Sequence, residues 1–267
     1  MSLLPFRDIG TGFPVVLGGS YLWDATMWAP QIDALGKRHR LIIPELPGHG
    51  NDALLPEGCT TPADLARETG ALLDALGIDQ YALVGLSVGG MWAAELALQR
   101  PAQVRSLVLM DTFLGAEPDD SRARYFAMLD LIEHLGCVPP AMAEQIVPLF
   151  FRPSIAADDP LRLQFQQRLL SWPRERLLAS VVPLGRLIFG RPDRLAALKD
   201  LDAETTLIMS GEHDLPRPMT EARQMADLIG CRLQAVPDAG HISTLENPAF
   251  TSAQLDAWLQ QSLLTAR

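Results

Sequence analysis

Short, uninterrupted apolar runs recur along this chain, and most are followed by a segment with helical patterning. They fall at residues 14–17, 40–43, 81–85, 104–110, 205–209 and 231–236. A strand that is apolar at nearly every position is covered on both faces, which calls for a parallel sheet with helices on either side. Helical patterns at 27–35, 61–76, 89–99, 218–228 and 247–263 supply that cover. Thr61 reads as a helix cap with Pro62 in the first turn, and Gly77 as the stop. The expected fold class is α/β, with a mostly parallel, doubly wound sheet.

The alternation breaks between the fourth and fifth of these runs. Residues 115–200 are helical in pattern, proline-rich, and carry Phe126, Phe150, Phe151, Phe165 and Trp172. This stretch is too long for a loop. It predicts a helical insertion dividing a core made of residues 1–114 and 201–267. Its aromatics either pack a small core of their own or face a pocket over the strand ends, where open α/β sheets bind ligands.

Composition removes several function classes. Of 267 residues, 22 are basic and 32 acidic, a net charge of −10, which is unsuited to gripping nucleic acid or an anionic membrane. Cys59, Cys137 and Cys231 are far apart and odd in number, so they suggest buried or half-buried thiols in a reducing compartment. No cationic stretch and apolar run opens the chain, and the apolar segment 82–98 contains Glu95 and several glycines. These features point to a cytoplasmic protein without a membrane span.

The strongest chemical signal is Gly85-Leu86-Ser87-Val88-Gly89. It follows an apolar strand directly and opens a helix directly, the context in which G-x-S-x-G presents a nucleophile. A sharp strand-to-helix turn needs neighbours with almost no side chain, and Gly85, Gly89 and Gly90 give that room. The turn lifts the Ser87 hydroxyl clear of the sheet.

A serine hydroxyl needs a base to take its proton. The chain has five histidines. His39 stands among Lys37, Arg38 and Arg40 and is expected in solvent; His49 lies in a turn, His134 in the insertion, and His213 in a loop beside an acid. His241, in Asp238-Ala239-Gly240-His241, follows the last strand and so lies at the same sheet end as Ser87. It is the expected base. Asp214, in Ser210-Gly211-Glu212-His213-Asp214 after the preceding strand, is the expected orienting carboxylate. Asp111, after the strand at 104–110, competes for that role but reads better as a cap where the insertion begins, and Glu212 as a loop residue.

An oxyanion hole would take one backbone N–H from Val88 and a second from the Gly18-Gly19-Ser20-Tyr21-Leu22-Trp23 loop, for which Ser20 is the choice. Tyr21 and Trp23, with Phe150 and Trp172 from the insertion, are the candidate substrate-binding side chains. Tyr21 and Trp23 could equally pack against the helix at 27–35.

Taken together, the Gly-Gly loop, Pro47-Gly48-His49-Gly50, the serine elbow, the helical insertion, Gly211-x-x-Asp214 and Gly240-His241 resemble enzymes of the α/β-hydrolase fold over nearly the whole chain. Spacing and insertion size are similar to the carboxylesterase and enol-lactonase-like members. The resemblance implies a triad of Ser87, Asp214 and His241. One departure is Gly18-Gly19, where the family usually has His-Gly. Relatives with an aspartate nucleophile are disfavoured, since position 87 is serine. No dinucleotide or phosphate-binding glycine motif and no zinc spacing occurs, so neither a cofactor nor a metal is expected. The expected activity is hydrolysis of an ester or related small acyl substrate. Lactone or C–C bond hydrolysis, acyl transfer and elimination use the same triad, and a non-catalytic binding protein could keep the fold. Oligomeric state is left open.

Overall fold

The computed structural model describes residues 3–265. Its centre is a seven-stranded sheet in the order β1-β3-β2-β4-β5-β6-β7. The strands are β1 (Phe6–Ile9), β2 (Phe13–Gly18), β3 (His39–Pro44), β4 (Tyr81–Leu86), β5 (Val104–Met110), β6 (Thr206–Gly211) and β7 (Arg232–Val236). All neighbouring pairs are parallel except β1 with β3. β4 and β6 are buried at every residue, and β2 and β5 at their carboxyl halves. That explains the unbroken apolar runs: helices cover both faces.

β1 has no apolar run because it is a mostly exposed edge. Arg40 donates to both carboxylate oxygens of Asp8 at 3.0 and 2.7 Å across this antiparallel pair. His39 corrects its expected place in solvent. It opens β3 opposite Phe13, is buried there, and desolvation holds its pKa below the usual value. Of the basic neighbours that suggested exposure, Lys37 and Arg38 lie in the turn before β3, and Arg40 is the next strand residue, on the opposite face from His39. Cys137 is also a correction, being exposed; Cys59 is buried and Cys231 half-buried.

Helix α1 (Ala29–Leu35) starts later than its pattern suggests, because residues 25–28 form a tighter 3₁₀ turn capped by the Asp24 side chain. Helix α2 (Pro62–Ala75) begins with a reciprocal box in which Thr61 and Asp64 bond each other's backbone N–H. α3 (Val88–Gln99) leads directly off β4. Between β5 and β6 the chain is helical: α4 (Asp119–Leu135), α5 (Pro140–Ile146), α6 (Pro160–Ser171), α7 (Arg174–Arg176) and α8 (Val182–Phe189). α9 (Met219–Ile229), α10 (Ser243–Glu246) and α11 (Pro248–Thr265) complete the chain. α2 packs on α3, and α1 on α11.

Candidate active site

The turn from β4 to α3 holds Ser87 at φ 58°, ψ −122°, a left-handed conformation that costs a residue with a side chain about 1–3 kcal/mol. Neighbouring strands hold it there. Ser87 N donates to Met110 O at 2.9 Å, and Thr112 Oγ1 donates to Ser87 O at 2.7 Å. The glycines are needed for close approach: a Cβ on Gly89 would stand 2.2 Å from Gly18 O, and one on Gly85 2.3 Å from Gly89 O.

His241 and Asp214 meet from loops after β7 and β6. The imidazole Nδ1–H donates to Asp214 at 3.0 Å (Oδ2) and 3.1 Å (Oδ1), and Asp214 Oδ1 also accepts the Arg217 N–H at 3.0 Å. With Nδ1 committed, Nε2 is the nitrogen left to act as acceptor. The His241 loop is fixed from behind: Glu246 Oε2 accepts the Gly240 N–H at 2.6 Å, and Arg152 donates from N and Nη1 to Oε1 of the same carboxylate. Ser87 and His241 line one cavity. In this conformation no hydrogen bond joins the Ser87 hydroxyl to the ring; such bonds are commonly long before substrate arrives.

The other histidines lack this setting. His134 and His213 are exposed. His49 is buried with Nδ1 2.9 Å from Pro47 O and its ring edge on Trp172, and burial pushes its pKa down to about 4.

Asp111 corrects its expected place as a cap for the helical segment. Its Oδ1 accepts the Gly211 N–H at 2.7 Å and its Oδ2 accepts the Ser243 hydroxyl at 2.6 Å, so it ties β5 to the loops carrying Asp214 and His241. It is fully buried at φ 46°. Burial, then the nearby Asp214 charge, push its pKa well above the usual carboxylate range. Glu212 is an exposed loop residue.

The Ser20 N–H, expected as an oxyanion donor, lies 3.2 Å from Met27 Sδ in the buried core. The 3₁₀ turn at 25–28 brings Met27 under the loop and occupies it. The next N–H along, that of Tyr21, has no hydrogen-bond acceptor among the described residues, and neither has that of Val88.

The cavity holds about 990 Å³ of space including its mouth. Its walls are apolar and come mainly from α4 to α8, with Tyr21, Phe150 and Trp172 among them. Tyr21 also donates its hydroxyl to Val181 O at 2.8 Å. Trp23 is elsewhere: it stacks on Phe165 at 4.6 Å and 7°, with Phe150 and Phe151 around it. It therefore packs neither in the cavity nor simply on α1, because α6 crosses over the loop. The cavity also has a charged end formed by Glu117, Arg191 and Arg217. Sequence reasoning missed these three. Only Arg217, three residues after Asp214, stood near a recognised motif.

The model of the alpha/beta hydrolase family matches residues 10–254, and the chain belongs to that family. RutD of Variovorax paradoxus (strain S110), named as a candidate carbamate hydrolase, is 31% identical over 247 residues, covering 90% of this chain and 88% of that one. The 2-hydroxymuconate semialdehyde hydrolase of Pseudomonas sp. (strain CF600) is 27% identical, covering 96% and 90%. Among solved structures, a thermophilic esterase from Thermogutta terrifontis superposes with a TM-score of 0.82 at 28% identity, covering 97% and 93%. The fold is that of the α/β hydrolases, and the chain is a hydrolase. Among the described residues no helix is long and apolar enough to cross a membrane.

Proposed function

We propose that the protein is a serine hydrolase that cleaves a carboxylic ester or related small acyl compound through an acyl-enzyme. The observation that carries this is the buried His241–Asp214 pair opening on the same cavity as a serine held in a strained strand-to-helix turn. Ser87 Oγ attacks the carbonyl carbon while His241 Nε2 takes its proton. The tetrahedral oxyanion accepts hydrogen bonds from the N–H of Val88, at the start of α3, and from that of Tyr21 in place of Ser20. Collapse expels the alcohol, which takes the proton from His241. Water, activated by the same nitrogen, then releases the acid and restores the hydroxyl. Asp214 holds the ring tautomer and offsets the imidazolium charge.

The helices spanning 115–200 act as a cap whose apolar walls, with Tyr21, Phe150 and Trp172, shape the substrate site. Free thiols at Cys59, Cys137 and Cys231 suit the cytoplasm. Relatives named for carbamate, semialdehyde and enol-lactone hydrolysis share this scaffold, so the scissile bond is set by the pocket.

The test is Ser87→Ala, assayed on 4-nitrophenyl esters and by fluorophosphonate labelling. Turnover should fall by about 10³-fold or more and labelling should vanish, with the fold retained. Undiminished hydrolysis would refute the assignment.

A further inference from the structure

A cavity lined by aliphatic and aromatic side chains contains, at one end, two buried guanidinium groups. Arg191 and Arg217 are both more than nine-tenths buried. They share the carboxylate of Glu117: Arg191 Nη1 donates to Oε2 at 2.9 Å, and Arg217 Nη2 to Oε1 and Oε2 at 2.8 and 3.0 Å. Arg191 Nη1 also donates to Ile188 O at 3.0 Å. Glu221 is a second acid within ion-pair range of the Arg217 guanidinium. Its Oε2 stands 3.5 Å from Arg217 Nη1 without forming a hydrogen bond, and burial pushes its carboxyl pKa up.

The donor supply is thus in excess. Among the described residues, Nε and Nη2 of Arg191 and Nη1 of Arg217 meet no hydrogen-bond acceptor. Buried guanidinium N–H groups without acceptors are costly. Glu117 and Glu221 balance the two fixed positive charges, so what the cluster leaves unmet is hydrogen-bonding capacity, three guanidinium nitrogens whose N–H groups a substrate carboxylate would match. Arginine forks are shaped for planar carboxylates. The Arg217 N–H is bonded to Asp214, so this charged end adjoins the His241 side of the cavity.

We propose that the cavity takes an acyl substrate bearing a carboxylate, seated against Arg191 and Arg217 at the Glu117 end while its carbonyl reaches Ser87. This rests on the serine-hydrolase reading above and narrows its substrate class. Glu117 and Arg191 flank the helical segment, so the competing role is a purely structural staple closing its base.

Two ester series separate these roles. In one the carboxylate is on the acyl side: 4-nitrophenyl hydrogen adipate and suberate against the hexanoate and octanoate. In the other it is on the alcohol side: 5-(butyryloxy)pentanoate against pentyl butyrate. In at least one series the carboxylate should raise kcat/KM by about 10- to 100-fold, chiefly through KM. Arg191→Met should erase most of that preference, and Arg191→Lys should keep part of it. A preference for the methyl-terminated ester in both series overturns the proposal. So does an Arg191→Met that lowers charged and neutral esters alike, the result of a staple. Should Arg191→Met fail to fold, the wild-type ratios and Arg191→Lys decide. Calorimetric binding of monomethyl adipate against methyl hexanoate to the Ser87→Ala protein reads the anion site without turnover. Tighter binding of the charged ester there supports the site even if the nucleophile assignment fails, and equal binding rejects it.

Discussion

Asp111 offers the sharpest test of the electrostatics beneath the site. Its carboxyl is fully buried, receives hydrogen bonds from Gly211 N and Ser243 Oγ, and has its pKa raised well above the usual range by burial and by Asp214. In the unfolded chain this group titrates near its reference value of about 3.9. Above that pH, and up to the raised folded pKa, the folded protein keeps a proton that the unfolded chain has released. The group's contribution to stability is therefore complete below pH ~4 and falls by about 1.4 kcal/mol per pH unit as pH rises through this window. Asp111→Asn has the same shape and no titration, and asparagine tolerates the φ of 46°. Its carbonyl can accept from Gly211, and the Ser243 hydroxyl can turn to accept from its amide. The Asn protein should gain on the wild type by about 3 kcal/mol over two pH units of that window. Urea unfolding at a series of pH values rising from about 4, compared at equal m-values, reads this directly. Asp111→Ala should instead lose about 2–5 kcal/mol, because two buried donors are left without an acceptor. An Asn-minus-wild-type difference that is flat with pH would refute a neutral, buried Asp111. Loss of ester turnover in Asp111→Asn but not in Asp214→Asn would reassign the orienting acid.

Two further outcomes follow from local geometry. Gly89→Ala puts a Cβ 2.2 Å from Gly18 O, so the elbow must part from the β2 loop; stability should drop by about 1–3 kcal/mol and ester kcat should fall with it, as measured by thermal unfolding and steady-state kinetics. Burial opposes the ionised Asp64, but bonds from Thr60 N and from the Thr61 hydroxyl and N–H outweigh it and hold the pKa down to about 2. Its stabilisation is present above the unfolded value of about 3.9 and is lost as pH falls toward 2. Asp64→Ala should thus cost about 1 kcal/mol at neutral pH and progressively less in acid, seen by urea unfolding.

The sheet was legible because β2, β4, β5 and β6 are covered on both faces, and that demand is written as unbroken apolar runs. β1 escaped because an exposed edge strand carries no such run. That Ser87, Asp214 and His241 gather at one rim could be expected because each follows a strand, and in a parallel sheet the carboxyl ends share that rim. The Ser20 choice failed on a contact that spacing does not encode, a methionine sulfur folded under the loop. Trp23 went astray for a similar reason: its stacking partner, Phe165, is 142 positions away. The Glu117–Arg191–Arg217 cluster joins the two ends of the helical segment to a core loop, so no local pattern announces it.

Strain and support are arranged together along that rim. The four non-glycine residues with positive φ among those described are Leu22, Ser87, Asp111 and Asp238. Each lies just past a strand, after β2, β4, β5 and β7. A left-handed residue with a side chain persists only where its surroundings over-determine it. Here the sheet's own ladder continues past the strand ends. Gly89 N donates to Gly19 O at 3.1 Å, Ser87 N to Met110 O at 2.9 Å, and Asp111 N to Met209 O at 3.0 Å. Glu212 N then donates to Val236 O at 3.1 Å and His213 N to Ala239 O at 2.8 Å. These rungs run sideways from the Gly19 loop through the serine turn and Asp111 to the loops of Asp214 and His241. The loops carrying Ser87, Asp214 and His241 are thus cross-linked by backbone hydrogen bonds as well as by the Thr112, Asp111 and Glu246 side chains. Of the side chains along this rim, those of Tyr21, Ser87 and His241 face the cavity.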